Sequence, residues 1–203
     1  MIDHPDAIAK RDDRTLGGVL VEGNVFYGNT TNTFIRQFAP VDAIYTAPNI
    51  YKNNRITGTC GAGIYLTGWV ESIGNQVGVT TAAVDKDGLR IEMKGGDCIM
   101  DGNRIPDETT RILGDNFVCL VTRNVLDVME IAAGRIKIDN NSLTNIKAPS
   151  CQSLEFTNNK IFGASSTEPV ANLYTNHCIV AGNHVEITGS AAGGAVFRFY
   201  GKG

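Results

Sequence analysis

Apolar and polar positions alternate along the chain in short runs that end repeatedly at the same polar corner. The recurring string reads apolar-x-apolar-x-(Gly/Asn)-Asn-x-apolar. Its copies are VLVEGNVF (19–26), NIYKNNRI (49–56), VESIGNQV (70–77), CIMDGNRI (98–105), CLVTRNVL (119–126), IKIDNNSL (136–143), LEFTNNKI (154–161) and CIVAGNHV (178–185). The anchors are Asn24, Asn54, Asn75, Asn103, Asn124, Asn141, Asn159 and Asn183, spaced 17 to 30 residues apart. Of the slots five and three before each anchor and two after it, only Asn49 and Ser72 are not apolar. The slot just before the anchor is Gly or Asn in every copy except one, where Arg123 stands.

Side chains two apart on a strand share a face, so slots −5 and −3 point the same way. Gly and Asn tolerate the left-handed backbone of a sharp corner, after which the +2 residue turns inward again. A strand, a tight corner and a second strand, recurring every 20–25 residues or so, is one coil of a parallel β-solenoid. A β-sandwich would also give strands between regular turn signals. It gives no reason for one asparagine motif to hold a fixed register. About eight coils at ~4.8 Å each predict a rod of roughly 40 Å. The strings TNTFIRQFAPVDAIYTAP (31–48) and VTTAAVDKDG (79–88) read as protruding loops. GIYL (63–66), LRIEM (89–93), VMEIA (128–132) and AVFRFY (195–200) read as further strands. Residues 1–18 are polar and read as an N-terminal arm or cap. Residues 19–203 form the solenoid, and the end of the chain reads as a capping strand.

Composition agrees with a turn-rich all-β chain: Gly is 23 of 203 residues. With 18 Lys and Arg against 21 Asp and Glu, the net charge of −3 argues against a basic nucleic-acid face. No run is long and apolar enough for a membrane helix, and MIDHPDAIAK has no apolar signal core. The expectation is therefore no nucleic-acid or membrane partner and folding in a cytoplasm. Five cysteines without C-x-x-C spacing fit reduced core residues, with a single Cys60–Cys151 bridge left open.

The I-x-x-N-x-I register resembles the right-handed parallel β-helix superfamily of pectate lyases, polygalacturonases, alginate epimerases and phage tailspikes. The likeness covers residues 19 to about 200 and is nearly silent on function. It implies a right-handed single-stranded β-helix. Arg135-Ile136-Lys137 matches one catalytic string of the polygalacturonases, yet Gly-His-Gly does not occur and the only Asp-Asp, Asp12-Asp13, precedes the first coil. By register Ile136 takes a core slot and Lys137 an outward one. Acids are densest at Glu92, Asp97, Asp101, Asp107 and Glu108; if the rod is an enzyme, Glu92, Asp97 and Asp101 are the first carboxylates to inspect. Asp85 and Asp87 flank Lys86 as a turn would, not as a calcium loop. His4, His177 and His184 have no metal-ligand spacing, and no cofactor fingerprint occurs. Trp69 is the sole tryptophan, with Tyr45, Tyr51, Tyr65, Tyr174 and Tyr200 as other aromatic area for a sugar.

Slot −4 lies between two inward residues and should face outward. It holds Leu20, Ile50, Glu71, Ile99, Leu120, Lys137, Glu155 and Ile179. Five large aliphatics in one stacked stripe suggest a covered surface, either by residues 30–48 or by another copy. An apolar-faced β-helix rod resembles the homotrimeric rods of phage virions. That resemblance implies a non-enzymatic surface protein of a tailed-phage virion that decorates or cements the head or forms a tail appendage. Its partners would be further copies in a trimer and other capsid or tail proteins. The alternative is a tailspike or fibre module that binds a host surface polysaccharide, with or without cleaving it. That reading requires aromatics and acids to converge between 25–48 and 78–97.

Overall fold

The computed structural model describes residues 2–3, 15–16, 18–30, 32–38, 44–81, 87–164, 171–188 and 197–200. Among these residues all regular structure is β-strand, and the strands pair parallel, in register on the two faces that flank the corner and with single register shifts in the long strands between Gly114 and Val118, Glu130 and Ala132, and Ala148 and Cys151. The chain is an all-β parallel solenoid, each coil contributing strands to three faces.

The first face stacks the strand ahead of each corner: Leu20–Glu22, Asn49–Lys52, Val70–Ile73, Cys98–Asp101, then 119–122, 136–139, 154–157 and 178–181. The second face stacks the strand after it, an 8-stranded sheet from Val25–Asn29 to His184–Thr188. The third face, which the repeat does not announce, holds Thr33–Arg36, Ala62–Thr67 and Asp87–Glu92. It continues through 109–114, 128–133, 145–151 and 171–175 to Phe197–Tyr200. In later coils the third and first faces are single long strands, Thr109–Thr122, Val128–Asp139, Asn145–Thr157 and Ala171–Ala181. They therefore merge into one 13-stranded sheet. About six turns have a neighbour on both sides, so the expected eight coils include an open turn at either end.

Two expected loops are partly rungs. Within 31–48, Phe34 and Ile35 are buried, and Ile35 aligns with Ile64 on the third face. Within 79–88, Gln76–Thr81 and Asp87–Glu92 supply strand at both ends, and 82–86 lie outside the described residues. The expected strands at 63–66, 89–93 and 128–132 fall on this third face, and so does Phe197–Tyr200 of the expected 195–200, whereas the four-residue rung Thr33–Arg36 is too short to display its period of 2 against flanking polar sequence. Of the expected arm, residues 2–3 pair with 35–36 and residues 15–16 with 44–45; residues 4–14 lie outside the described residues. At the other end Phe197–Tyr200 pairs beside 171–174, and 189–196 and 201–203 lie outside them.

The core is a set of like-on-like ladders. Cys98, Cys119, Ile136 and Leu154 stack at slot −5; Tyr51, Ser72, Met100, Val121, Ile138 and Phe156 stack at slot −3. All five cysteines are free, which removes the Cys60–Cys151 bridge, and all but Cys178 are buried. Hydrogen bonding with Cys98 and burial push the Cys119 thiol well above its ordinary range, so it stays protonated.

The corner divides its labour between two residues. The left-handed backbone falls on the slot before the anchor, not on the anchor itself: Gly23, Asn53, Gly74, Gly102, Arg123, Asn140, Asn158 and Gly182 all have φ between 54° and 70°. The anchors instead turn inward and form a ladder. The backbone N–H of Asn103 and its Nδ2 both donate to Oδ1 of Asn124, at 2.8 and 3.0 Å, and Asn124 repeats this to Asn141 at 2.9 and 2.9 Å. The same Nδ2 of Asn124 reaches back to the carbonyl of Met100, 3.0 Å away. The pattern runs unbroken from Asn24 to Asn183. Each interior amide thereby satisfies both of its lone pairs and its donors inside the rod.

Removing an interior anchor strands the N–H and Nδ2 of the coil before it and a −3 carbonyl. Asn124→Ala is expected to cost about 4 kcal/mol, from buried groups worth ~1–3 kcal/mol each. Asn24→Ala at the open end, where no preceding coil donates to it, costs about 1 kcal/mol. Urea unfolding followed by circular dichroism measures both; equal losses at the two positions would contradict the ladder account.

Candidate functional site

With the interior closed, chemistry is confined to outward side chains, which stack on the same rungs as the core. On the third face the outward ladder runs Arg36, Tyr65, Arg90, Arg111 and Glu130. Arg36 lies 3.9 Å over the Phe38 ring, whose edge meets Tyr65 at a centroid distance of 5.5 Å. Arg90 sits 5.1 Å from the Tyr65 ring on the other side. Oε1 of Glu92 accepts from the Tyr65 hydroxyl at 2.8 Å and from Arg90 Nη2 at 2.7 Å. Below them the buried Asp87 carboxylate pairs with Arg111 at 3.1 Å, and Arg111 reaches Glu130 at 3.1 Å.

This cluster is electrostatically locked. Burial alone would raise the pKa of Glu92, but the hydrogen bonds from Tyr65 and Arg90 and the charges of Arg90 and Lys94 outweigh it and hold the carboxyl below its ordinary range. Burial and the neighbouring carboxylate raise the Tyr65 phenol. A carboxylate that stays ionised beside a phenol that stays protonated is not a pair poised for proton exchange near neutrality.

The other two inspected carboxylates lie elsewhere. Asp97 Oδ1 accepts the backbone N–H of Val118 at 2.9 Å. Asp101, on the first face, accepts from Thr122 at 2.9 Å and from Arg123 Nε at 2.8 Å, and the Arg123 bonds lower its pKa. Glu92, Asp97 and Asp101 thus sit in three separate bonding sets. Glu108 is buried, and Asp107 is exposed. In the Arg135-Ile136-Lys137 string Ile136 is core, while Lys137 pairs with Glu155 at 2.7 Å. No group of three metal-ligating side chains occurs among the described residues. His177 and His184 are exposed; His4, Asp85 and Lys86 lie outside the described residues.

The first face carries the stripe. Leu20, Ile50, Glu71, Ile99, Leu120, Lys137, Glu155 and Ile179 align rung on rung without a register break. Leu20 and Ile179, at the two ends, are 61% and 48% exposed. Ile50, Ile99 and Leu120 are half-buried, since each is flanked by a neighbour above and below.

Sequence reasoning missed the aromatic–arginine cluster because it placed 31–48 in a loop. The alternation in TFIRQF, apolar at Ile35 and cationic at Arg36, was its only signal. No protein-family model, curated protein or solved structure matches this chain.

A depressed carboxyl pKa contributes stability that is present above the unfolded value, near 4.3 for Glu, and lost as pH falls through the folded value. Glu92→Gln is therefore expected to lower the unfolding midpoint at pH 7, and the gap to the parent protein is expected to close as pH drops below about 4.3. Thermal melts across that range check it; a gap independent of pH would contradict the ionised Glu92.

Proposed function

We propose that the protein is a non-enzymatic structural rod, a surface protein of a tailed-phage virion that decorates or cements the head or serves as a tail appendage. It assembles as a homotrimer through its first face and docks on other capsid or tail proteins. The observation that carries this reading is the unbroken outward ladder with aliphatics on five rungs. The ladder is straight, with its five aliphatic rungs interrupted by Glu71 and by the Lys137–Glu155 pair. Copies related by rotation about an axis parallel to the rod can bury it along its whole length. The bonding of Glu92, Asp97 and Asp101 into separate structural pairs supports a rod without acid–base chemistry.

A second reading has its own observation. Arg36 and Phe38 from 25–48 and Arg90 and Glu92 from 78–97 meet on either side of Tyr65, a residue of neither segment. Aromatic faces ringed by polar groups suit a sugar, so a tailspike or fibre module binding host surface polysaccharide is the alternative.

Light scattering of the purified chain distinguishes them. The expected mass is that of a trimer, and Leu120→Glu is expected to reduce it to a monomer. The new carboxylate lies one rung from Lys137, which keeps the fold intact while charging the stripe. A monomeric parent protein, or a trimer unchanged by the substitution, overturns the rod reading.

A further inference from the structure

A cyclic trimer of these rods needs a second surface. A rotation that closes on itself brings one patch of each copy against a different patch of the next, so the stripe must find its complement elsewhere on the same rod. Rotation about an axis parallel to the rod moves nothing along it, so each coil meets the same coil of its neighbour. The complement must therefore match the stripe coil by coil.

The third face does so poorly, because Arg90 and Arg111 are already held by Glu92, Asp87 and Glu130. The second face matches. In the coil of Leu20 it presents Val25 and Tyr27, 74% and 85% exposed, and in the coil of Leu120 it presents Val125. In the coil of Glu155 it presents Lys160, exposed and without an ion pair among the described residues. Oε1 of Glu155 takes Lys137 at 2.7 Å, which leaves Oε2 for that lysine. Opposite Ile50 and Ile99 stand Arg55 and Arg104, whose methylene stems cover aliphatic surface. No rung of the stripe meets a like charge in the first outward slot after its own corner.

The coil of Glu71 gives the sharpest match. Glu71 belongs to none of the ion pairs on its face, Lys52–Glu22, Arg123–Asp101 and Lys137–Glu155. On the second face the same coil carries Gln76 and Gly78, with Arg55 one rung to one side and Arg104 one rung to the other. Together with Thr57 and Pro106 they line a cleft of about 150 Å³. The two arginine backbones lie about 10 Å apart, and both side chains are exposed without an ion pair among the described residues. A Cβ added at Gly78 would meet no atom within 4 Å, so the cleft is open at the height of Glu71. An anion between two such cations relieves their repulsion.

We propose that the Glu71 carboxylate of each copy seats between Arg55 and Arg104 of the next, so that the first face of one rod packs on the second face of its neighbour. The contact rests on the trimer reading and supplies its partner surface. Forked guanidinium donors suit a carboxylate, and the Gln76 amide has a further N–H to give. Lys52, which comes opposite Arg55, is paired with Glu22 at 3.3 Å, and that offsets its charge.

Charge reversal read by light scattering tests the contact. Glu71→Arg is expected to convert trimer to monomer, and so is Arg55→Glu combined with Arg104→Glu. Circular dichroism is expected to stay unchanged, since all three side chains point outward. Making all three substitutions together sets an arginine between two glutamates and is expected to restore the trimer. Trimers that survive both reversals, or a combined variant that folds yet stays monomeric, overturn the contact and leave the stripe to be judged by Leu120→Glu. A monomeric parent protein overturns both. If the combined variant does not fold, Glu71→Cys with Gly78→Cys decides. The two new thiols lie on different faces of one chain, so glutathione disulfide is expected to link them between copies into a covalent trimer on a denaturing gel. Monomer alone on that gel overturns the contact.

Discussion

A parallel stack sets like on like, so whatever occupies the corner of one coil faces its own kind about 4.8 Å above and below. Few side chains tolerate that. A charge would repel its copy, and an apolar residue would leave the turning backbone's N–H and C=O without partners. Asparagine carries an acceptor and two donors on a short arm, so it can receive from the coil before and give to the coil after. It also returns one N–H to a backbone carbonyl. The six anchors between Asn24 and Asn183 do all three, and the rest of the rod is arranged around them. The three faces can vary in length and character because the corner does not.

The positions that break the repeat show how strictly it is enforced. Ser72 stands where other coils have an apolar residue, and its hydroxyl bonds Asn75 Nδ2 and Asn103 Oδ1, both at 3.1 Å, so it has joined the ladder. Asn49 at slot −5 accepts the backbone N–H of Val19 at 3.1 Å and thereby closes the first coil, where no earlier coil exists to do so. Arg123 keeps φ at 56° although it has a side chain that disfavours it, and its guanidinium is anchored on Asp101 of the coil before. In each case the exception keeps the corner geometry and changes only who supplies the bond.

The fold was legible because its governing contact has a local signature: one residue type, one register and a glycine or asparagine before it. The division of labour inside the corner was not, since Gly-Asn and Asn-Asn look alike whichever member turns left-handed. The third face was hidden for a different reason. Its rungs lack a corner asparagine, so alternation alone marks 63–66, 89–93 and 128–132 as strands without showing that they share a face, and Thr33–Arg36 does not stand out from its polar flanks at all. The outward stripe followed directly from period 2 once the register was known. The Arg36–Phe38–Tyr65–Arg90 cluster and the arginine cleft were not legible at all. They join residues about 20 to 50 positions apart that only the stacking brings together.

That asymmetry bears on where function can reside. The interior offers little to a ligand: the Cys119 thiol stays protonated, the corner amides are saturated, and the Thr67 and Thr110 hydroxyls, which have no hydrogen-bond partner among the described residues, are buried. On the third face most charges are already cross-paired, Asp87 with Arg111, Arg111 with Glu130, Arg90 with Glu92. Such a network stiffens a surface and has little left to offer a ligand. The first face offers apolar area on five outward rungs, broken by Glu71 and the Lys137–Glu155 pair, which suits a large flat partner and not a small one. Among the described residues, the second face combines exposed arginines without an ion pair, Arg55 and Arg104, with the neutral polar groups of Thr57 and Gln76. Ladder contacts couple residues strongly along the axis and weakly around the coil, so a substitution on one face leaves the other two nearly untouched. The three faces are therefore separable surfaces on one scaffold, and a rod of this kind can present a different surface to each neighbour.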